Sequence, residues 1–337
     1  MEIYRGTLRL SEPFDLSGTL ACGAAFGWGR YSRQGRLIVY GEPAVDGWFS
    51  APTYGALVRL RQPADDRLEV EMSVPVVDHP HVPAPMPPAE FVRWYFRMEE
   101  SLVEIAAEIS KDPHVAAALR LLPGLRLIRV EPVECLLAFL FSPQNRIPKI
   151  AQILNAVSRR YGRAISTEWG MFRLPPGMDR LGRARASTLA SCGLRYGLPQ
   201  ARHFLKTFRR LSDQPDFFDR LTFPRADYET ACRQIVSVCV GAGPKVADCV
   251  SLFSLGHTEA VPVDVHVFNS TIRLYRRSLR GLRAKDADAL SLKEYRRIGR
   301  FYRSKFGKWA GYAQQYLFTA ERKRRNLFKR KPSNWQS

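Results

Sequence analysis

Residues 2–10, Glu2-Ile3-Tyr4-Arg5-Gly6-Thr7-Leu8-Arg9-Leu10, partly alternate apolar and polar side chains. A two-residue period is the signature of a strand with one buried face. Arg36-Leu37-Ile38-Val39-Tyr40, Ala56-Leu57-Val58-Arg59-Leu60 and Arg67-Leu68-Glu69-Val70-Glu71-Met72 read as further short strands, separated by turns of Gly and Pro-Ala-Asp-Asp type. An antiparallel sheet is expected over residues 1 to about 80. Val82-Pro83-Ala84-Pro85-Met86-Pro87-Pro88 then breaks the pattern, because proline fixes φ and removes a donor. Beyond it the apolar positions step by three and four: Phe91, Trp94, Tyr95 and Met98, then Leu102, Ile105 and Ile109. Helices are predicted over 131–142, 146–160, 200–211, 227–239, 245–255, 265–276, 293–305 and 308–322. The expected fold class is α+β, a mainly α-helical core with an N-terminal antiparallel β-sheet domain. The expected boundaries are a sheet domain at 1–88, a helical domain at 89–211, a second helical domain at 212–321 and a basic tail at 322–337.

Composition narrows the class. The 337 residues are 45% hydrophobic and 25% charged, which is globular and excludes wholesale disorder. No uninterrupted apolar run reaches the roughly 18 residues of a membrane-spanning helix. Met1 to Leu20 mixes Glu2, Arg5, Arg9, Glu12 and Asp15 among its apolar residues, so no secretory signal is expected. Six cysteines, at 22, 135, 192, 232, 239 and 249, form no C-x-x-C. They read as reduced, mostly buried residues of an intracellular protein; no metal and no cofactor is expected.

Charge adds a partner class. Lys and Arg total 52 against 32 Asp and Glu, a net charge of +20. Such a field attracts polyanions, and DNA, RNA and an anionic membrane all fit it. Arg322 to Lys331 carries seven positive charges in ten residues, which suits either a solvated tail or a contact to a phosphate backbone.

Chemistry concentrates in Val238-Cys239-Val240-Gly241-Ala242-Gly243-Pro244-Lys245-Val246-Ala247-Asp248. A helix ends, a Gly-x-Gly turn follows, and a second helix begins with Pro244, whose missing N–H costs nothing at the first helical position. Gly241 and Gly243 permit positive φ and leave backbone N–H groups uncovered, a small anion site beside a helix N-terminus. The helix 245–255 is about 16 Å long at 1.5 Å per residue. Gly256 to Val263 can span about 26 Å when extended, so the chain can return to its starting end. There Asp264 has the position of an N-cap. An amine and a carboxylate can thus converge beside a phosphate-binding turn. By themselves, the glycines also suit a plain C-cap, Lys245 a surface lysine and Asp264 nothing more than a cap.

Gly241-Ala242-Gly243-Pro244-Lys245-Val246-Ala247-Asp248-Cys249, followed by Ala260-Val261-Pro262-Val263-Asp264-Val265-His266, resembles the helix-hairpin-helix, Gly/Pro-rich loop and aspartate motif of base-excision DNA glycosylases, the 8-oxoguanine branch in particular. Gly124-Leu125-Arg126-Leu127-Ile128-Arg129 and Pro132-Val133-Glu134-Cys135-Leu136 resemble the approach to that family's central helical domain. Cys22-Gly23-Ala24-Ala25-Phe26-Gly27-Trp28 resembles its N-terminal loop, and Trp309-Ala310-Gly311-Tyr312-Ala313-Gln314-Gln315-Tyr316-Leu317-Phe318 its final helix. The matches run in family order along nearly the whole chain.

The resemblance implies a bifunctional glycosylase and abasic-site lyase acting on duplex DNA with a damaged base, as a monomer, DNA-associated inside the cell. It makes Lys245 the nucleophile on the sugar C1′ and Asp264 the stabiliser of charge on the sugar. It assigns the backbone carbonyl of Gly23 to N7–H of 8-oxoguanine, where guanine has a lone pair. Gln314 would meet the Watson–Crick edge, Phe318 and Cys249 would sandwich the base, and His266 would hold a phosphate. Gln144 falls on the position that fills the gap left by the flipped base, and with Asn145, Lys149 and Tyr196 it belongs to the positions that read the cytosine opposite the lesion. There the chain departs from the family: Pro143-Gln144-Asn145-Arg146 stands for an asparagine cluster, Lys149 for an arginine, and Gly197 for the arginine beside the wedge aromatic Tyr196. A short insertion surrounds Leu198-Pro199-Gln200. Relaxed preference for the opposite base is the expectation. Two other readings stay open: an alkylated-purine glycosylase on the same fold, which needs Asp264 but not Lys245, and a non-catalytic DNA-binding protein that uses the hairpin for phosphates alone.

Overall fold

The computed structural model describes residues 3–74, 76–283 and 290–329. The alternating N-terminal segments pair as strands β1 (Tyr4–Arg9), β2 (Gly29–Tyr31), β3 (Leu37–Tyr40), β4 (Phe49–Thr53), β5 (Ala56–Ala64) and β6 (Arg67–Met72). They form one antiparallel sheet in the order β1-β6-β5-β4-β2-β3. Leu8 lies opposite Leu68, and Leu60 opposite Val70, so the buried positions of neighbouring strands fall on one face. Between β1 and β2 the chain turns through a one-turn helix, α1 (Leu16–Leu20), capped by the Asp15 side chain.

After the proline segment come α2 (Pro88–Tyr95), α3 (Leu102–Ile109), α4 (Pro113–Leu121), α5 (Pro132–Leu140) and α6 (Ile147–Tyr161). Every residue of α5 is buried, as follows from a helix that is apolar on all sides but for Glu134. Next stand a hairpin of β7 (Ala164–Thr167) and β8 (Gly170–Arg173), two short helices α7 (Met178–Gly182) and α8 (Ala186–Ala190), and the long α9 (Gly197–Ser212). The remainder is α10 (Phe217–Leu221), α11 (Tyr228–Val238), α12 (Pro244–Phe253), α13 (Val265–Leu274), α14 (Leu292–Phe306) and α15 (Ala310–Lys329). The starts of α3, α4, α11, α13 and α14 are set by side-chain caps from Ser101, Asp112, Asp227, Asp264 and Ser291.

One hydrophobic cluster runs from Leu8 in the sheet to Ala320 in α15, so sheet and helices share a single interior. Polar ties cross it. Trp28 donates its indole N–H to Tyr95 at 2.8 Å. The buried Arg126 guanidinium donates to the carbonyls of Arg97 and Glu100 at 2.8 and 2.9 Å and meets Glu12 at 2.8 Å. Arg97 in turn donates to the Leu252 carbonyl in the last turn of α12, at 2.9 Å.

Four expectations need correction. The β7–β8 hairpin stands inside a region read as helical. Its strands each bury a single residue, Ile165 and Phe172, and lack the Leu37-Ile38-Val39-Tyr40 run that marks the equally short β3, and it is held by tertiary contacts. Ile165 and Phe172 pack on Leu57, and Arg59 lies between Trp48 and Trp169 at 4.9 and 4.7 Å from the ring centroids. Residues 16–20 are helical within the stretch read as strand. The helix predicted from residue 200 begins at Gly197, so the insertion around Leu198-Pro199-Gln200 forms the first turn of that helix. The tail expected from residue 322 is a continuation of α15 to Lys329; residues 330–337 lie outside the described residues.

Glu134 on α5 tests the interior. It is 4% exposed and accepts a hydrogen bond from the Thr53 hydroxyl at 3.2 Å. Burial, then the neighbouring Glu131 carboxylate, push it up to about 8. The folded chain therefore holds a proton that the unfolded chain releases near its ordinary value of 4.5. Stability conferred by this group is full below about pH 4.5 and falls as pH rises to about 8, by at most about 5 kcal/mol. Glu134→Gln removes that slope. Thermal unfolding should show the variant close to the natural chain at pH 5 and more stable than it at pH 8.5.

Candidate functional site

The turn between α11 and α12 is built by its two glycines. Gly241 has φ +88, a left-handed conformation that a side chain would strain. Gly243 is the N-cap of α12 with extended backbone. A Cβ at either glycine would meet no protein atom within 4 Å, so the approach to both backbones is open. The Thr207 hydroxyl and the Arg210 guanidinium, both on α9, donate to the carbonyls of Val240 and Val238 at 3.1 and 3.2 Å and hold the turn in place. The turn therefore leaves its backbone and the positive end of α12 open on one side, the arrangement that suits an anion.

Pro244 takes the first position of α12 and Lys245 the second. The Lys245 ammonium donates to the Ser142 hydroxyl at 2.9 Å and stands 5.2 Å from the centre of the Phe139 ring. The chain leaves α12, turns at Gly256 and returns through Pro262-Val263 to Asp264. Asp264 caps α13, its Oδ1 accepting from the Val267 N–H at 2.7 Å. Both side chains line one cleft of about 780 Å³, within the usual range of ligand pockets.

The same cleft collects most of the other candidates. Gly23, Gln144, Asn145, Tyr196, Gly241, Gly243, Cys249, His266, Gln314 and Phe318 all line it. Gln314 is 3% exposed, and its Oε1 has no hydrogen-bond partner among the described residues. A buried orphan acceptor beside a cleft marks a place for a ligand donor. Cys249 is 2% exposed, and burial pushes its thiol up to about 12 against the pull of the Lys245 charge, so it faces the cleft as a neutral thiol. Gly23 has φ +101, and Phe318 Cε1 lies 3.6 Å from where its Cβ would stand. Gln144 is exposed and holds φ +54, an uncommon value for a side-chain-bearing residue and one found at functional loops. Asn145 is turned inward, its amide donating to the Phe141 carbonyl at 2.8 Å. Lys149 is not part of the lining; its ammonium sits against Gly193, 3.3 Å from that residue's would-be Cβ.

Several residues of the site carry no sequence signal. Phe139, in the last turn of α5, and Ser142, just beyond it, fall in a segment that reads only as core, yet they are the partners of Lys245. Ile147, Leu292 and Tyr295 also line the cleft. Asp248, one turn from Lys245, is buried, and burial pushes it up to about 6. It accepts from the hydroxyls of Tyr228 on α11, at 2.5 Å, and Tyr295 on α14, which ties α12 to both helices. Among the described residues, no group of three His, Cys, Asp or Glu side chains is arranged to hold a metal ion. The six cysteines are all free thiols, and no helix among the described residues is long and apolar enough to cross a membrane.

Residues 7–136 match the family profile described as 8-oxoguanine DNA glycosylase, N-terminal domain. Over 232 residues the chain is 32% identical to an N-glycosylase/DNA lyase of Arabidopsis thaliana, a match that covers 67% of this chain and 60% of the relative. Over 247 residues it is 31% identical to the N-glycosylase/DNA lyase of Saccharomyces cerevisiae, covering 67% and 65%. The chain thus spans under two thirds of the length of either relative. The Clostridium acetobutylicum 8-oxoguanine glycosylase/lyase, solved with double-stranded DNA containing cytosine opposite 8-oxoguanine, has the same fold: TM-score 0.75, 24% identity, 96% of this chain and 99% of that one.

Proposed function

Since this chain belongs to the 8-oxoguanine DNA glycosylase family of the helix-hairpin-helix superfamily, we propose that it removes 8-oxoguanine from duplex DNA and then nicks the strand at the resulting abasic site. The observation that carries this reading is the position of Lys245 and Asp264 on the wall of one cleft, behind an open Gly-x-Gly turn.

A base inside a duplex is out of reach, so the nucleotide is extruded at a cost of a few kcal/mol. Phosphate contacts at Gly241, Gly243 and the start of α12 offset that cost. Exposed Gln144 fills the gap left in the stack, with Tyr196 beside it as a wedge. The everted base enters between Phe318 and Cys249. Its N7–H donates to the Gly23 carbonyl, and its Watson–Crick edge meets Gln314, whose Oε1 has no partner among the described residues.

Lys245, once its proton has moved to solvent or to the departing base, attacks C1′ with its lone pair. The C1′–N9 bond breaks and its electron pair leaves with the base, which is protonated. Asp264 stabilises the positive charge that builds on the sugar in that step. The ring opens to a Schiff base, whose cationic nitrogen acidifies C2′–H. Loss of that proton expels the 3′ phosphate by β-elimination, and water then frees the amine. An enzyme with the aspartate alone would activate water and leave the backbone intact. The direct test is sodium borohydride trapping on a duplex containing 8-oxoguanine: a covalent protein–DNA adduct is expected, and base release without any adduct would favour the alkylated-purine alternative.

The protein acts on DNA as a monomer in this reading. Its affinity should fall steeply between 50 and 200 mM salt, as contacts to several phosphates release counterions. Opposite-base discrimination should be weak. Gly197 has no side chain, Lys149 faces Gly193 rather than the cleft, and the Asn145 amide is engaged with the backbone. Each bidentate base contact is worth about 1–3 kcal/mol. With two such arginine positions changed, single-turnover nicking of 8-oxoguanine opposite C, A, G and T should agree within about tenfold. A preference for C of a hundredfold or more would overturn this, and would point to Arg146, which lines the cleft at the start of α6.

A further inference from the structure

Three consecutive carbonyls, from the last residue of α1 into the turn that follows it, have donors. The Tyr40 hydroxyl donates to Leu20 at 3.2 Å. The Arg322 guanidinium donates to Ala21 at 3.2 Å. The buried Gln315 amide donates to Cys22 at 3.1 Å. The next carbonyl, that of Gly23, receives no hydrogen bond from the described residues, although Gly23 borders the cleft. Two of the three donors come from α15, which also carries Gln314 and Phe318. Gln315 and Arg322 are seven residues apart, two helical turns, so they stand on one face of that helix. Arg322 further lies over the Phe318 ring, 5.5 Å from its centroid, and its Nη1 is 3.1 Å from where a Gly23 Cβ would be.

We propose that Gln315 and Arg322 are positioning residues for lesion recognition: by binding the Cys22 and Ala21 carbonyls they lock the turn so that only the Gly23 carbonyl is presented to the N7–H of the everted base. This rests on the functional reading above and adds to it how the recognising group is held. The Gly23 peptide has no side chain to anchor it, and its φ of +101 is open to a glycine in more than one way. Its direction is therefore set by its neighbours. Arg322 also fixes the outer side of Phe318, so one guanidinium orients both the hydrogen-bond acceptor and the stacking face. Discrimination of 8-oxoguanine from guanine depends on where that one oxygen points. A shift of about 1 Å in a positioned group can cost about a hundredfold in rate.

A preformed abasic site separates this role from a structural one, because it offers no base to be read. Arg322→Ala and Gln315→Leu should each lower single-turnover excision of 8-oxoguanine by about 10- to 100-fold. Both should leave β-elimination at a preformed abasic duplex within about twofold of the natural chain. Arg322→Lys, which keeps a donor and a charge near the Ala21 carbonyl, should recover most of the loss. Equal losses on both substrates would mean that the residues only hold the fold together, and unchanged 8-oxoguanine excision would mean that the turn needs no lock; either overturns the assignment. A natural chain that nicks the abasic duplex but leaves 8-oxoguanine intact overturns the substrate reading, and this assignment with it.

Discussion

Lys245→Gln is expected to abolish borohydride trapping and to lower strand nicking at 8-oxoguanine by about 10⁴-fold or more, the scale seen when a covalent nucleophile is removed. Glutamine is a fair probe because it leaves the surroundings nearly intact. It is uncharged and only one atom shorter, it keeps N–H donors on the side of the Ser142 hydroxyl that Lys245 contacts at 2.9 Å, and it is a good helix residue in the first turn of α12. Folding and DNA binding should persist, which a gel shift on the lesion duplex and a thermal melt would check. An amide nitrogen has no basic lone pair, so no imine can form and C2′–H is not acidified. A variant that still formed a trapped adduct would place the nucleophile elsewhere and end the assignment.

Asp264→Asn should cost about 10²–10³-fold in excision, the usual effect of removing one preorganised group that stabilises charge in a transition state. The aspartate has two roles, which this substitution separates. Its Oδ1 caps α13 through the Val267 N–H, and asparagine caps a helix equally well. Stability should therefore stay near that of the natural chain, while Asp264→Ala should lose about 0.5–2 kcal/mol from the missing cap as well. Nicking at a preformed abasic site should suffer less than excision, since no glycosidic bond is broken there. If Asn and Ala variants lost activity and stability in parallel, the carboxylate would be a cap and nothing more.

How far these residues could be read in advance depends on the range of the interactions that place them. The Gly241 turn, Pro244 at the first position of α12 and the Asp264 cap follow from backbone rules that act within a few residues, and the structure places them as expected. The alternation along β1 and β6 set which face of the sheet is buried, because a strand's period is local. The β7–β8 hairpin was not legible, since each strand buries one residue only and its stability comes from Leu57 and from Arg59 between two tryptophans. Nor was the extension of α15 through the basic segment, where charge suggested a tail but Arg322 bonds back to Ala21 and lies over Phe318.

The amino-acid order by itself determined the chemistry on offer: an amine and a carboxylate 19 positions apart, each at the start of a helix, on a chain with a net charge of +20. The tertiary structure alone decided that Phe139 in the last turn of α5 and Ser142 just beyond it meet that amine, that the Gln314 acceptor is left without a partner among the described residues, and that α15 grips the turn before Gly23. Periodicity and caps express forces between near neighbours in the chain. The environment of a side chain is the sum of contacts made across hundreds of residues, and those come into being only when the helices close around the cleft.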